Sequence, residues 1–355
     1  MPALGEETVP PDEAAMIARL VEQNLALLNV DERPVRRGQH PKHHGCVRAE
    51  FIVEPDLPAE FRHGLFASPR RYDALIRFSN GESRDDRRAD AHGMAIKLFD
   101  VPGEKLLGEG TTHDFILLDH PIFFIRNVED YVGLFDALLA ARRSILPKLA
   151  FFLPRLIAEI GHVYVTYLRK KPHELDILLD TVGKKPKTPL QEYWSTTPYL
   201  LGPQVVRWSA RPAMPLPTLP QMTKSPDLLR HALAAQLDAG EVSFDFMAQV
   251  QSDAEKMPIE DPTIRWDEKL SPPRKVATLR LPKQRPDGVP LMEFCEHLSF
   301  NPWRCLPEHR PLGGINRARK DIYDKVSRKR HELNGVPVGE PSLEEFLRLH
   351  EVGRV

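Results

Sequence analysis

Apolar positions near the start of the chain recur at helical spacing. Ile17, Leu20, Val21, Leu25 and Leu28 fall at three- and four-residue steps behind Asp12, which can cap a helix. The pattern then changes to short β-like runs bounded by Gly, Pro, Asn or Asp, at 46–53, 74–79, 94–99 and 115–118, with further runs at 205–209, 242–250 and 276–281. About seven or eight strands are predicted, enough to close a barrel or build a sandwich. Between the early and late strands, helical patterns cover 128–143, 145–168, 173–182 and 226–239, and two long helices follow at 315–333 and 342–352. Strands that pause for helices and then resume predict an antiparallel α+β design rather than alternating βαβ units. No internal repeat of about 20 to 50 residues is visible. The expected organisation is a helical arm over 1–36, a strand-based domain over 37–335 with a helical insertion at about 128–240, and a C-terminal helix over 336–355.

Composition narrows the class. With 355 residues, 41% hydrophobic and 28% charged, the chain is long enough for a sizeable core and is neither disordered nor fibrous. Lys and Arg number 49 against 50 Asp and Glu, so no overall basic field exists to hold nucleic acid or an anionic membrane. Three cysteines, Cys46, Cys295 and Cys305, are too scattered for a disulfide framework and fit a reducing compartment. Residues 1–11 are acidic and proline-bearing, unlike a secretory signal, so a cytoplasmic location is expected. The greasiest stretch, 145–168, carries Lys148, Pro154, Arg155, Glu159 and His162, which predicts a packed helix pair rather than a membrane span.

The densest candidate chemistry lies just before the first strand. Arg37-Gly-Gln-His40-Pro-Lys-His43-His44-Gly45-Cys46 holds three imidazoles and a thiol. Its spacing is irregular for a structural zinc site and no matching Cys/His pair follows downstream. On these residues alone a polar loop with buried imidazoles remains an open reading.

Four segments in order decide between them. Arg37-x-x-His40-x-Lys42-x-x-Gly45, then Ile76-Arg77-Phe78-Ser79, then Pro121-Ile122-Phe123-Phe124-Ile125-Arg126 and finally Arg319-Lys320-Asp321-Ile322-Tyr323 resemble the haem catalase superfamily. The likeness is specifically to its smaller members, the catalase-related peroxidases and allene oxide synthases. It spans about residues 37–330, and the segment Thr111-Thr112-His113-Asp114-Phe115 adds to it. The resemblance implies an antiparallel barrel of about eight strands as the core of the 37–335 domain, haem b as cofactor, Tyr323 as axial ligand to the haem iron and Arg319 one turn away balancing its charge. It implies Arg37, Arg77 and Arg330 as partners of the haem propionates, His40 as distal acid/base, Ser79 orienting it, and Phe123 and Phe124 as apolar walls. A tyrosine that binds ferric iron does so as phenolate, and an anionic oxygen donor favours the ferric state, which suits peroxide chemistry. On a helix, Arg319, Tyr323 and Arg330 fall within about 40° of one another and can face one ligand.

The chain also departs from the family. Full-length catalases carry an asparagine two residues before the proline of the P-I-F-F segment, whereas this chain has Asp119, followed by His120. An amide can donate a hydrogen bond to peroxide and an ionised carboxylate cannot. Gln39 beside His40 and a chain shorter than typical catalases point the same way. The expected function is therefore a haem-dependent peroxidase, an oxidoreductase that reduces organic hydroperoxides with a second, reducing donor and has weak catalase activity toward hydrogen peroxide. The alternatives are an enzyme that rearranges fatty-acid hydroperoxides and a non-catalytic haem-binding or sensing protein. Small-molecule hydroperoxides and a homo-oligomer are the partners expected, with neither nucleic acid nor a membrane span.

Overall fold

The computed structural model of the chain describes residues 3–144, 155–215 and 225–352. The Phe151-Phe152-Leu153-Pro154 run and most of the first half of the 145–168 segment lie outside these residues.

Among the described residues nine strands form one sheet: β1 (His43–Val53), β2 (Arg71–Asn80), β3 (His92–Leu98), β4 (His113–Leu118), β5 (Tyr193–Trp194), β6 (Tyr199–Leu201), β7 (Gln204–Pro212), β8 (Val242–Val250) and β9 (Arg274–Leu281). Every pairing is antiparallel. The order β5-β4-β3-β2-β1-β9-β8-β7 closes on itself through a β5–β7 pairing, so eight strands make a barrel and β6 is a short hairpin partner of β7. The antiparallel α+β design expected from the strand runs and the barrel implied by the resemblance are both present.

Alternation of apolar residues sets which face is inside. Val47, Ala49, Phe51 and Val53 of β1, Ala74, Ile76 and Phe78 of β2 and Met94, Ile96 and Leu98 of β3 pack into the barrel core with Trp208, Phe244 and Phe246. Successive strand residues point to opposite faces. Arg77 and Ser79, which flank inward-facing Phe78, therefore stand on the outside of the barrel.

Helices cover that outer surface. They are α1 (Glu13–Ala26), α2 (Val128–Ser144), α3 (Arg155–Thr166), α4 (Pro172–Val182), α5 (Leu228–Ala239), α6 (Val289–His297), α7 (Gly314–Asn334) and α8 (Leu343–Val352). A second apolar cluster joins α1, α2 and α7 through Ile17, Leu20, Phe123, Tyr131, Phe135, Ile315, Ala318 and Ile322. A third sets α6 and α8 against β1 and β2 through Cys46, Leu75, Leu291, Cys295 and Phe346. Among the described residues no helix is long and apolar enough to cross a membrane. Sequence reading missed β5, β6 and α6. The two strands have two and three residues, too few to show alternation, and α6 has proline in its first turn.

Candidate functional site

The loop before β1 delivers His40 to the outer face of β2. His40 has φ of 56°, a left-handed conformation uncommon outside glycine. Three contacts impose it. Its backbone N–H donates to the Gly81 carbonyl at 2.6 Å, its carbonyl accepts Arg77 Nη2 at 2.8 Å, and its Nδ1 lies 3.1 Å from Ser79 Oγ. Register places Gly93 of β3 directly beside Ser79. A Cβ on Gly93 would sit 2.7 Å from the His40 ring, so glycine is what lets the imidazole lie flat against the sheet. Burial, then the neighbouring Arg77 charge, push the His40 pKa down to about 4, so the ring is a neutral proton acceptor at pH 7.

Arg77 links this loop to a cluster of charges. Arg37 and Arg330 both fork onto the carbonyls of Glu296 and Leu298, Arg330 at 2.7 and 2.9 Å and Arg37 at 3.2 Å to the first. These carbonyls lie at the C-terminal end of α6, where helix carbonyls lack partners and the dipole favours cations. The Glu296 carboxylate lies 3.5 Å from Arg37 and 3.9 Å from Arg330. Burial works against that carboxylate, but Arg37, Arg77, His43 and Arg330 outweigh it and hold its pKa below the usual value. The guanidiniums suffer in turn. Burial, then Arg37, push Arg77 down to about 10 and Arg330 down to about 8. Two guanidiniums thus pair with one carboxylate and a third lies within its electrostatic reach, and among the described residues the buried Nε atoms of Arg77 and Arg330 have no hydrogen-bond partner. The donor set suits a further carboxylate, as a porphyrin propionate would supply.

On α7, Arg319 and Tyr323 lie two turns or more before Arg330 on the same stripe. Arg319 Nη1 donates to Thr197 Oγ1 at 3.0 Å and to Asn316 Oδ1 at 3.2 Å, and its guanidinium lies 5.1 Å from the Phe123 ring centre. Phe123 and Phe124 pack at 4.8 Å, and Tyr323 packs half-buried against the same cluster. A cavity of about 690 Å³ lies on the other side of α7, lined by Ile17, Val21, Trp303, Lys320 and Lys325. Helical geometry sets those α7 positions away from the Arg319–Tyr323 stripe.

Tyr131 joins the two groups. Its ring meets Phe123 edge-on at 6.2 Å, and Gln39 beside His40, Tyr323 and Arg319 all lie within electrostatic reach of its phenol. Burial, then Tyr323, push the Tyr131 phenol up to about 12. All nine sequence-derived residues therefore occupy a connected surface: His40, Ser79, Arg37, Arg77 and Arg330 around the Glu296 end of α6, and Phe123, Phe124, Arg319 and Tyr323 on the α2–α7 side. Sequence reading missed Glu296, Gly93, Thr197, Asn316 and Tyr131. Only Tyr131 had a signal, an aromatic eight residues beyond Phe123 at the start of a helical pattern.

Asp119 is committed to other partners. Its carboxylate accepts the His92 backbone N–H at 2.9 Å, lies 3.0 Å from His92 Nδ1, and accepts Gln191 Nε2 at 3.3 Å. His120 lies 2.9 Å from Asp180 of α4 through Nε2.

No protein-family model matches the chain, and no curated protein matches it. Solved structures do. A fungal catalase is similar over 95% of this chain and 69% of that one, with a TM-score of 0.64 and 18% identity. A bacterial catalase is similar over 96% of this chain and 66% of its own, with a TM-score of 0.63 and 18% identity. Catalase A from Saccharomyces cerevisiae is similar over 94% and 70%, with a TM-score of 0.57 and 18% identity. This chain spans about two thirds of their length. With its closed eight-stranded barrel and covering helices, the chain has the catalase fold.

Proposed function

We propose that the chain is a haem-dependent peroxidase that reduces hydroperoxides, organic ones in preference to hydrogen peroxide. The observation that carries this reading is the trio Arg37, Arg77 and Arg330 around the Glu296 carboxylate, with Arg77 joined through the His40 carbonyl to an imidazole–hydroxyl pair, in a chain with the catalase fold. Iron protoporphyrin IX is the group these residues suit. The three guanidiniums would hold its propionates, and Tyr323 would ligate the metal with Phe123 and Phe124 as apolar walls. When bound, it would supply a ferric centre at which the O–O bond of a hydroperoxide breaks.

The chain's own residues supply the proton chemistry. His40, neutral at pH 7, would take the proton from one peroxide oxygen and return it to the other, with Ser79 fixing the ring that does so. General acid–base help of this kind is typically worth about 10²- to 10⁴-fold. The products are an alcohol and water, with two electrons drawn from a reducing donor. Organic hydroperoxides are favoured because Asp119, which stands where full-length catalases have the peroxide-holding amide, is bound to His92 and Gln191. Gln39 and Tyr131 add a polar pair beside His40.

Protein purified from haem-supplied cells should show a high-spin ferric absorbance spectrum. Tyr323→Phe should strip or loosen the haem, and His40→Ala should keep it while peroxidase turnover falls about 100-fold or more. Product analysis on a hydroperoxide panel should give alcohols; rearranged products or oxygen release as the main outcome would replace this reading. A colourless protein would end it.

A further inference from the structure

His43 and Cys46 close the imidazole-rich segment at the start of β1; Cys46 takes no part in the site above, and His43 enters it only through the Glu296 carboxylate. They meet Cys295 of α6. Cys46 and Cys295 are both fully buried in the layer between β1 and α6. Cys295 Sγ donates to the Gly45 carbonyl at 3.7 Å, one residue from Cys46, and each thiol influences the ionisation of the other. The His43 side chain acts on the Cys295 thiol as well, favouring its thiolate. Its Nε2 lies 3.6 Å from the Glu296 carboxylate, and among the described residues its buried Nδ1 has no hydrogen-bond partner. A thiol, an imidazole and a carboxylate thus lie close together, with a second thiol beside the first. A base beside a thiol is what makes cysteine a nucleophile.

Charge supports the same assignment. Arg77 is the cross-strand neighbour of Cys46, and with Arg37 and Arg330 it leaves the region short of anions. Burial raises the cost of a Cys295 thiolate, but Cys46, His43 and Arg77 outweigh it and set its pKa well below the ordinary thiol value. Burial and the Cys295 thiol push Cys46 the other way. One thiol is favoured as nucleophile, the other as a protonated reserve.

We propose that Cys295 and Cys46 form a peroxide-oxidisable dithiol, in which Cys295 attacks, His43 carries the proton and Cys46 resolves the product to a disulfide between α6 and β1. The Cys295 sulfur attacks one oxygen of hydrogen peroxide as the O–O bond breaks. The departing hydroxide takes from His43 the proton that Cys295 gave up and leaves as water, and a sulfenic acid remains. Cys46 passes its proton to His43 and attacks the Cys295 sulfur. The S–S bond forms, the S–O bond breaks, and a second water leaves. Two thiols and one hydrogen peroxide become one disulfide and two waters, with two electrons passing from sulfur to oxygen. Because both sulfurs are buried, the oxidant is a small one, hydrogen peroxide rather than a bulky lipid hydroperoxide. Closure would tie α6, and with it the Glu296 end that meets Arg37 and Arg330, covalently to the first strand.

The test is peptide mass spectrometry after hydrogen peroxide treatment and alkylation, on the haem-loaded protein and on Tyr323→Phe. The expected product is a 46–295 linkage in both, forming at least tenfold faster with hydrogen peroxide than with cumene hydroperoxide. Cys46→Ser should instead leave a dimedone-trappable sulfenic acid on Cys295, and His43→Asn should slow oxidation about 100-fold. Thiols that stay reduced, a linkage through Cys305, or oxidation unaffected by His43→Asn would overturn the proposal. Linkage in the haem-loaded protein alone would overturn direct attack by Cys295. Because the linkage is read in Tyr323→Phe as well, a failure of the haem reading leaves this result intact.

Discussion

His40 is held by backbone contacts on both sides of its Cα and by a glycine beneath its ring, and each constraint has its own readout. With the folded-state pKa near 4 and an unperturbed value near 6.5, its neutral form persists far into acid. The kcat/KM for hydroperoxide should therefore rise as pH climbs through about 4 and stay level above it, with no inflection near 6.5. Asp119 favours the imidazolium, so Asp119→Asn should move that inflection to lower pH in the same profile. Gly93→Ala places a methyl 2.7 Å from the His40 ring. Overpacking of this kind costs about 1–3 kcal/mol, and the ring displaced from Ser79 should cut turnover while haem stays bound; urea unfolding and an absorbance spectrum check both halves. The residues of this site legible in the sequence were those in short contiguous segments. Glu296 was not, because its meaning lies in guanidiniums on the loop before β1 and on α7, and nothing near position 296 announces them.

Elements of the fold were legible in proportion to their length. The 11-residue β1 and the 21-residue α7 carry enough turns of pattern to read, whereas β5, which closes the barrel, has two residues. The layer outside the barrel depends on ion pairs that no local pattern reveals. Lys97 of β3 is fully buried and lies 2.7 Å from Asp114 of β4 and 2.5 Å from Glu340, just before α8, while Arg304 lies 3.0 Å from Asp114 and 2.9 Å from Glu340. Removing one member of a buried pair strands the others. Lys97→Met should destabilise the fold by about 3–5 kcal/mol, measured by denaturant unfolding, and should loosen α8 first, seen as faster amide exchange there. Little change in either would show that Arg304 alone neutralises both carboxylates.

For the molecule as a whole, buried imidazoles set the response to acid. His44, His113 and His309 are each almost wholly buried, and burial, the largest cause, depresses all three pKa values, His309 to about 3. The folded state therefore binds fewer protons than the unfolded one below about pH 6.5. Stability from this source is fully present above that value and declines as pH falls toward the folded-state pKa values. Each group contributes about 1.4 kcal/mol per pH unit, so the three together should remove about 4 kcal/mol per unit below about pH 5.5, read from urea midpoints at several pH values. A midpoint constant from pH 7 to 5 would contradict their burial.

The pairing of β1 with β9 has a consequence for how the protein comes into being. Glu50 and Arg280, which bond across that seam, are separated by 230 residues. At about 5–20 residues per second on a ribosome, the opening strand would wait about 10–45 seconds for its neighbour, its amide edge bare throughout. Newly made chains should for that interval be clients of chaperones that shield unpaired strands.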